Sequence, residues 1–111
     1  MPEDAARWLE GAYRVSVKPS RDASTGAVSF DVYFERGGKR FKLYTDFSDF
    51  YLYCDSCGKA ARGVLTAVAS ALGIKEKPKW YGNALELPAD VGWAAFLKLW
   101  ARHNMSLPIE E

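Results

Sequence analysis

The sequence predicts an α+β domain in which an antiparallel sheet of about four to five strands carries two main helices packed on one face. Three observations lead to this class. Apolar and polar residues alternate along most of residues 13–53, which is the pattern of half-buried strands. From residue 59 onward the apolar residues recur with a helical period instead. Because early strands and late helices indicate an α+β arrangement, we expect one such domain over residues 1–111.

The strands are predicted by their period of two. A short helix over residues 3–10, ended by Gly11, should precede a first strand at 13–18. Residues 28–47 predict a β-hairpin, because two alternating segments flank Gly37-Gly38, a pair suited to a tight turn. The expected inward side chains are Val28, Phe30, Val32, Phe34, Phe41, Leu43, Thr45 and Phe47. The apolar run at residues 50–53 predicts a fourth strand, more buried than the others.

The first main helix is predicted from residue 59 to Gly73, with Asp55 or Ser56 as its N-cap. Its apolar stripe consists of Ala61, Val64, Leu65, Val68 and Leu72. Residues 80–87 have strand character, although Gly82-Asn83 can divide them into a bend or a small hairpin.

The second main helix is predicted to begin near Pro88, which suits a first helical turn, and to end at Asn104. Four large apolar residues recur in it at i, i+3, i+4 and i+7, namely Trp93, Phe96, Leu97 and Trp100. This spacing predicts that all four share one face and pack in the core.

Composition excludes some partners and favours none. The chain has 15 basic and 14 acidic residues, a net charge of +1, which does not argue for duplex DNA or an anionic membrane. No stretch of 18 apolar residues predicts a transmembrane helix, and the acidic N-terminal segment lacks the apolar region of a secretory signal. We therefore expect a cytoplasmic protein without membrane contact.

The pair Cys54 and Cys57, in the motif CDSC between a predicted strand and a predicted helix, supports three interpretations. A helix start favours a thiolate and hence thiol–disulfide exchange, although the flanking residues do not match a thioredoxin active site. The spacing also suits half of a zinc site, but the chain has no second cysteine pair and one histidine, His103. The third interpretation is a structural pair, either reduced and packed or closed as a local disulfide.

The outward positions of the predicted hairpin form a second candidate site. Tyr33 and Tyr44 lie on its two arms and could be cross-strand neighbours, with Arg40 and Lys42 beside them. Exposed rings flanked by basic side chains can stack bases and hold a phosphate backbone. The acidic residues on the same face, which weaken this case in favour of an ordinary solvated surface, are Asp31, Glu35 and Asp46.

Catalytic signatures are absent from the sequence. It contains no Gly-rich phosphate loop, no GxSxG, no HExxH and no EF-hand loop. The predicted function is therefore a small non-enzymatic binding module, for nucleic acid or a protein partner. The alternative is a CxxC protein that binds zinc or performs thiol–disulfide exchange. A homodimer formed through a strand edge is a further expectation.

Two segments, FYLYCDSC at 50–57 and DVGWAAFLKLWARHNMSL at 90–107, resemble a paralogous repeat family (PaREP-type) of Pyrobaculum and related hyperthermophilic archaea. The resemblance covers roughly the last half of the chain. It implies an archaeal hyperthermophile as the source and a family without assigned chemistry, so it transfers no functional residue. The scarcity of amides, with no Gln and two Asn, agrees with such a source.

Overall fold

A computed structural model describes residues 2–106 of the chain. The helices are α1 (Pro2–Leu9), α2 (Ala61–Ala71) and α3 (Ala89–Ser106), and a 3-10 turn (Gly58–Ala60) precedes α2. The strands are β1 (Tyr13–Arg21), β2 (Val28–Arg36), β3 (Lys39–Thr45), β4 (Phe50–Cys54), β5 (Lys79–Tyr81) and β6 (Ala84–Glu86). They form one antiparallel sheet in the order β1-β2-β3-β4-β6-β5.

The predicted α+β class with an antiparallel sheet is confirmed, but the predicted number of four to five strands is wrong. The sheet has six strands, because residues 80–87 form a hairpin rather than one strand. Gly82, with a φ of +60°, makes the reversal, and Trp80 pairs with Leu85 across it. A residue without a Cβ adopts this left-handed conformation at little cost, so the chain can turn within two residues.

The core lies on one face of the sheet, and the three helices cover that face. The alternating apolar residues of β2, β3 and β4 point into it, including Val32, Phe34, Phe41, Leu43 and Leu52. Helix α1 contacts both α2 and α3, and its Trp8 packs edge-on against Phe34 and Phe41. Phe47 departs from the predicted inward pattern, because β3 ends at Thr45 and Phe47 lies 38% exposed in the following turn.

The predicted burial of the α3 stripe is correct for Phe96 and wrong for its other three members. Trp93 and Trp100 are each 40% exposed, and Leu97 is 58% exposed. The side of α3 that faces the sheet carries smaller residues, Val91, Gly92, Ala95 and Leu99. A Cβ at Gly92 would overlap the ring of Phe50, so the helix and β4 approach each other too closely for a larger side chain there. The tryptophans therefore lie on the flank of the helix.

The apolar stripe of α2 is confirmed, but its predicted N-cap is wrong. Neither Asp55 nor Ser56 caps the helix, since the 3-10 turn precedes it and its N-cap residue Ala60 provides no side-chain hydrogen bond. The Ser56 hydroxyl instead accepts a hydrogen bond from the backbone N–H of Arg40 at 2.9 Å. Helix α3 continues beyond Asn104, its predicted end, to Ser106, and the predicted extended tail lies mostly outside the described residues.

No helix among residues 2–106 combines the length and the apolarity that a membrane span requires.

Candidate nucleic-acid interface on the open sheet face

The face of the sheet that points away from the helices, which we call the open face, is dominated by its two central strands. β3 and β4 alternate buried Phe41, Leu43 and Leu52 with outward side chains that are all tyrosine, lysine or arginine. These outward residues are Arg40, Lys42, Tyr44, Tyr51 and Tyr53. The period of two thus places aromatic and cationic groups together on the middle of the sheet, with no carboxylate among them.

The predicted residues share this face, but their pairing differs from the expectation. Tyr33 lies opposite Lys42, and Tyr44 lies opposite Asp31, so the two tyrosines are diagonal rather than direct cross-strand neighbours. The Lys42 ammonium is 4.3 Å from the centroid of the Tyr53 ring, a favourable cation–π distance. Tyr33, Lys42 and Tyr53 therefore form one row across β2, β3 and β4.

A second row consists of stacked tyrosine rings. The centroids of Tyr44 and Tyr51 are 6.0 Å apart with an interplanar angle of 23°, and those of Tyr51 and Tyr81 are 5.0 Å apart at 27°. A ring between two stacked neighbours, as Tyr51 is, presents its edge and hydroxyl to a ligand. Tyr81 ends the row on the edge strand β5 and is 63% exposed, so it keeps a free ring surface.

Sequence reasoning missed Tyr51, Tyr53 and Tyr81. The run at 50–53 was predicted to be a more buried strand, whereas its tyrosines alternate with buried Phe50 and Leu52 and point to the open face. The available signal was chemical: tyrosine occupies each alternate position of that run, and a hydroxyl favours the solvent side.

The surroundings raise the pKa of two tyrosines in this row. Burial is the main cause for both residues. The carboxylate of Asp46 is the second cause for Tyr44, and that of Asp49 is the second cause for Tyr51. Because their ordinary pKa of 10.0 already lies well above neutral pH, both phenols stay protonated and can donate hydrogen bonds.

Carboxylates flank the central strands. Glu35 on β2 lies opposite Arg40 in register, but its Oε2 is 3.3 Å from Nη1 of Arg14. Arg14 sits at a bulge in β1 with a φ of +52°, which turns its side chain toward this carboxylate. Within residues 2–106 no ion pair engages Arg40 or Lys42, so both cations are available to an anionic ligand.

The two cysteines are joined as a disulfide at the end of β4. Cys54 is 8% exposed, and Cys57 is only partly buried. The turn that they close is hydrogen-bonded to β3, because the Asp55 N–H donates to the Arg40 carbonyl at 2.8 Å and Ser56 accepts from the Arg40 N–H. The CDSC turn thus fixes the backbone of one cation of the open face.

A zinc site at this pair stays a prediction. In the disulfide form neither sulfur is a thiolate, which is the form that binds zinc. Among the described residues no group of three or more His, Cys, Asp or Glu side chains is arranged to hold a metal ion. His103 lies elsewhere, with Nδ1 3.1 Å from the Val15 carbonyl oxygen, where it joins α3 to β1.

Comparison with protein-family models, curated proteins and solved structures finds no significant match to this chain. The resemblance to the PaREP-type family therefore stays a prediction.

Proposed function

We propose that this chain is a non-enzymatic binding module that holds single-stranded nucleic acid on the open face. One observation carries the proposal: the outward side chains of the two central strands are three tyrosines and two cations, with no carboxylate among them. All three helices lie behind the sheet, so this surface is accessible to an extended ligand. Aromatic rings combined with cations that follow a backbone are the general solution for binding single strands.

Each part of the surface has a task in this proposal. Arg40 and Lys42 contact phosphates, while the protonated hydroxyls of Tyr44 and Tyr51 donate to base edges. A base stacks on Tyr81, whose ring surface is free, and such stacking contributes about 1–3 kcal/mol. The net charge of +1 gives little general attraction to duplexes, so unpaired bases are needed for affinity.

Fluorescence anisotropy with a labelled oligouridine and the matching duplex tests the proposal. Two phosphate contacts predict a log–log salt slope of about −1.4 for a single strand, so affinity should fall about sevenfold between about 50 and 200 mM salt. The duplex should bind more weakly than the single strand. Binding that is undetectable, or that does not respond to salt, contradicts the proposal.

Variants locate the binding surface. Lys42→Gln should reduce the salt slope by about 0.7, since one phosphate contact is lost. Tyr81→Ser should lower the affinity roughly five- to 150-fold through the lost stacking. Arg7→Gln is the charge-matched control, because Arg7 is exposed on α1, on the helical side of the molecule. An equal loss in Arg7→Gln would mean that the effect is one of general charge.

The disulfide favours a second candidate function, thiol–disulfide exchange. Cys57 is the more exposed of the two residues and precedes a helical turn, while Cys54 is buried. We propose that a thiolate of a dithiol substrate attacks Cys57 Sγ, and Cys54 leaves as a thiolate and takes up a proton. The second substrate thiolate then displaces Cys57, so the substrate becomes a disulfide and the chain a dithiol.

An insulin-reduction assay driven by dithiothreitol tests this second function. The chain should accelerate the reaction at substoichiometric amounts, and Cys57→Ser should abolish the acceleration. A disulfide that resists dithiothreitol, with no acceleration, would make the pair structural. Metal analysis of the reduced protein completes the test, because one zinc per one or two chains would favour a metal site instead.

A further inference from the structure

One end of the open face forms a concavity beside the two central strands. It has a volume of about 390 Å³, and its walls include Arg14, Tyr33, Glu35, Arg40 and Asp55. Sites for small molecules have volumes of about 300–1,000 Å³, so the concavity is large enough for one nucleobase. Its walls combine two cations, two carboxylates and an aromatic ring, which are groups that can distinguish one base from another.

Glu35 presents its carboxylate in a fixed position. Nη1 of Arg14 lies 3.3 Å from Oε2 and 3.5 Å from Oε1 of Glu35, so one guanidinium nitrogen contacts both carboxylate oxygens. The bulge in β1 places this guanidinium, and bulges are frequent beside functional sites. A carboxylate accepts about four hydrogen bonds, so Glu35 keeps about two acceptor positions for a ligand.

The Tyr33 ring lies next to this carboxylate on the same strand and the same face. Outward side chains two residues apart on a strand are separated by about 6.6 Å, so a base stacked on Tyr33 can reach Glu35 with its edge. The β1 neighbour of Tyr33 is the small residue Ser16. The β3 neighbour is Lys42, whose ammonium contacts the Tyr53 ring instead. Neither neighbour therefore covers the Tyr33 ring.

We propose that this concavity selects guanine within the bound single strand, with the Watson–Crick edge on Glu35 and the ring on Tyr33. The inference rests on the proposed function, because the base enters from a strand that lies on the open face. Guanine presents two adjacent donors on that edge, N1–H and the N2 amino group, which match the two oxygens of a carboxylate.

The other bases match a carboxylate less well. Adenine and cytosine each place one amino donor beside a ring nitrogen that is an acceptor, and uracil places its N3–H between two carbonyl oxygens. An acceptor that faces a carboxylate is repelled, so each of these bases forms at most one of the two hydrogen bonds. The difference between two hydrogen bonds and one provides the selectivity.

The remaining walls favour the same ligand. Asp55 adds a second negative charge, which disfavours base edges rich in acceptors. Its backbone N–H donates to the Arg40 carbonyl at 2.8 Å, so Asp55 is held beside the start of β3. Arg40 lies opposite Glu35, and no ion pair within residues 2–106 engages it, so it can contact the phosphate of the same nucleotide. The carboxylates that weaken general anion binding thus distinguish between bases.

Fluorescence anisotropy with short labelled oligouridines that carry one central guanosine, adenosine, cytidine or inosine tests the proposal. Guanosine should bind about five- to 150-fold more tightly than adenosine or cytidine, which is the discrimination of one bidentate contact. Inosine keeps N1–H but lacks the N2 amino group. It should bind about two- to twelvefold more weakly than guanosine, half of that discrimination on a logarithmic scale.

Two matched variants locate the selectivity. Glu35→Gln replaces one acceptor oxygen with an NH₂ group, so it should abolish the preference for guanosine without lowering the affinity for plain oligouridine. The fold should tolerate this change, because an ion pair with the 75% exposed Arg14 contributes little to stability. Glu86→Gln is the control, since Glu86 pairs with Tyr51 on the same face but outside the concavity, and it should keep the preference.

Failure of this inference and failure of the proposed function give different results. Salt-dependent binding with equal affinity for every central base overturns the guanine site and leaves the binding module. Equal affinity for guanosine and inosine, or a guanosine preference that Glu35→Gln retains, overturns the site as well. Absence of binding to every oligonucleotide contradicts both. The inosine comparison uses the unaltered chain, so it decides the proposal independently of the stability of any variant.

Discussion

The two faces of the sheet are made by the same strands, yet they obey different physical constraints. Phe34 and Phe41 stack at 5.3 Å on the covered face, where every side chain must fit a fixed volume. Tyr33 and Lys42, their neighbours in the chain, meet on the open face, where contacts with water replace close packing. The covered face therefore determines the fold, and the open face remains free to be shaped by a ligand.

The largest expected effect comes from truncating adjacent residues on opposite faces. Phe34→Ala should lower the free energy of unfolding by about 3–5 kcal/mol, because Phe34 is 1% exposed and contacts both Trp8 and Phe41. Tyr33→Ala should cost less than about 1 kcal/mol while weakening oligonucleotide binding. Urea denaturation of both variants measures the difference. Similar losses of stability would show that the open face is also covered.

A smaller effect is expected where α3 meets the covered face. Gly92→Ala should destabilise the fold by about 1–3 kcal/mol, because the new methyl group overlaps Phe50 and the helix must shift outward. Gly63→Ala is the matched control in α2, where a Cβ meets nothing within 4 Å, and it should stabilise by about 0.5–1 kcal/mol. Thermal unfolding distinguishes the two, and a neutral Gly92→Ala would contradict the close approach.

Thr45→Val removes a hydroxyl at the end of the covered face while keeping its shape. It leaves the Phe47 N–H and the Asp49 carbonyl without this partner, which should cost about 1–3 kcal/mol. We expect Trp93 fluorescence to shift as well, because Phe47 stacks on it. Thr66→Val, at an exposed residue of α2, should change neither quantity by a measurable amount. Equal behaviour of the two variants would contradict a stabilising role for the Thr45 hydroxyl in this turn.

The smallest effect concerns the turn between β1 and β2, outside both faces. The hydroxyl of Ser24, followed by the N–H groups of Thr25 and Ser24, lowers the pKa of Asp22 from 3.8 to about 2. Since the folded pKa is the lower one, the stabilisation is present above about pH 4 and is lost as the pH falls toward 2. Ser24→Ala should raise the pKa of Asp22 toward 3.8 in an NMR titration. Ser48→Ala, in a different turn, should leave it unchanged.

The central hairpin was predictable because local chemistry determines it. Alternation fixes which residues of β2 and β3 point inward, and Gly37 and Gly38 both adopt the positive φ that their turn requires. The same alternation placed Arg40, Lys42 and Tyr44 together on one face. The two-residue turn also sets the register of β2 and β3, which places Arg40 opposite Glu35 and Tyr44 opposite Asp31. The register of β3 with β4 was not predictable, since it depends on the irregular turn at residues 46–49.

The orientation of α3 was not predictable for a different reason. The helix has apolar residues on two sides. Periodicity predicts the angle of each residue around the helix axis, but it does not predict which side packs against the sheet. Size decided the outcome, because Gly92 fits against Phe50 and a tryptophan does not. That contact joins residues 42 positions apart (92 − 50), so no local sequence pattern predicts it.

The ends of the described chain meet, and this affects how the protein is made. Arg102 donates from Nε to the Ala12 carbonyl at 2.8 Å, and α1 packs along α3. All six strands precede α3 in the chain. They leave the ribosome before this helix, which completes their apolar cover, has been synthesised. Until α3 emerges, the nascent meander exposes Phe50 and its neighbours to other chains, so slow translation of the C-terminal third should favour aggregation during synthesis.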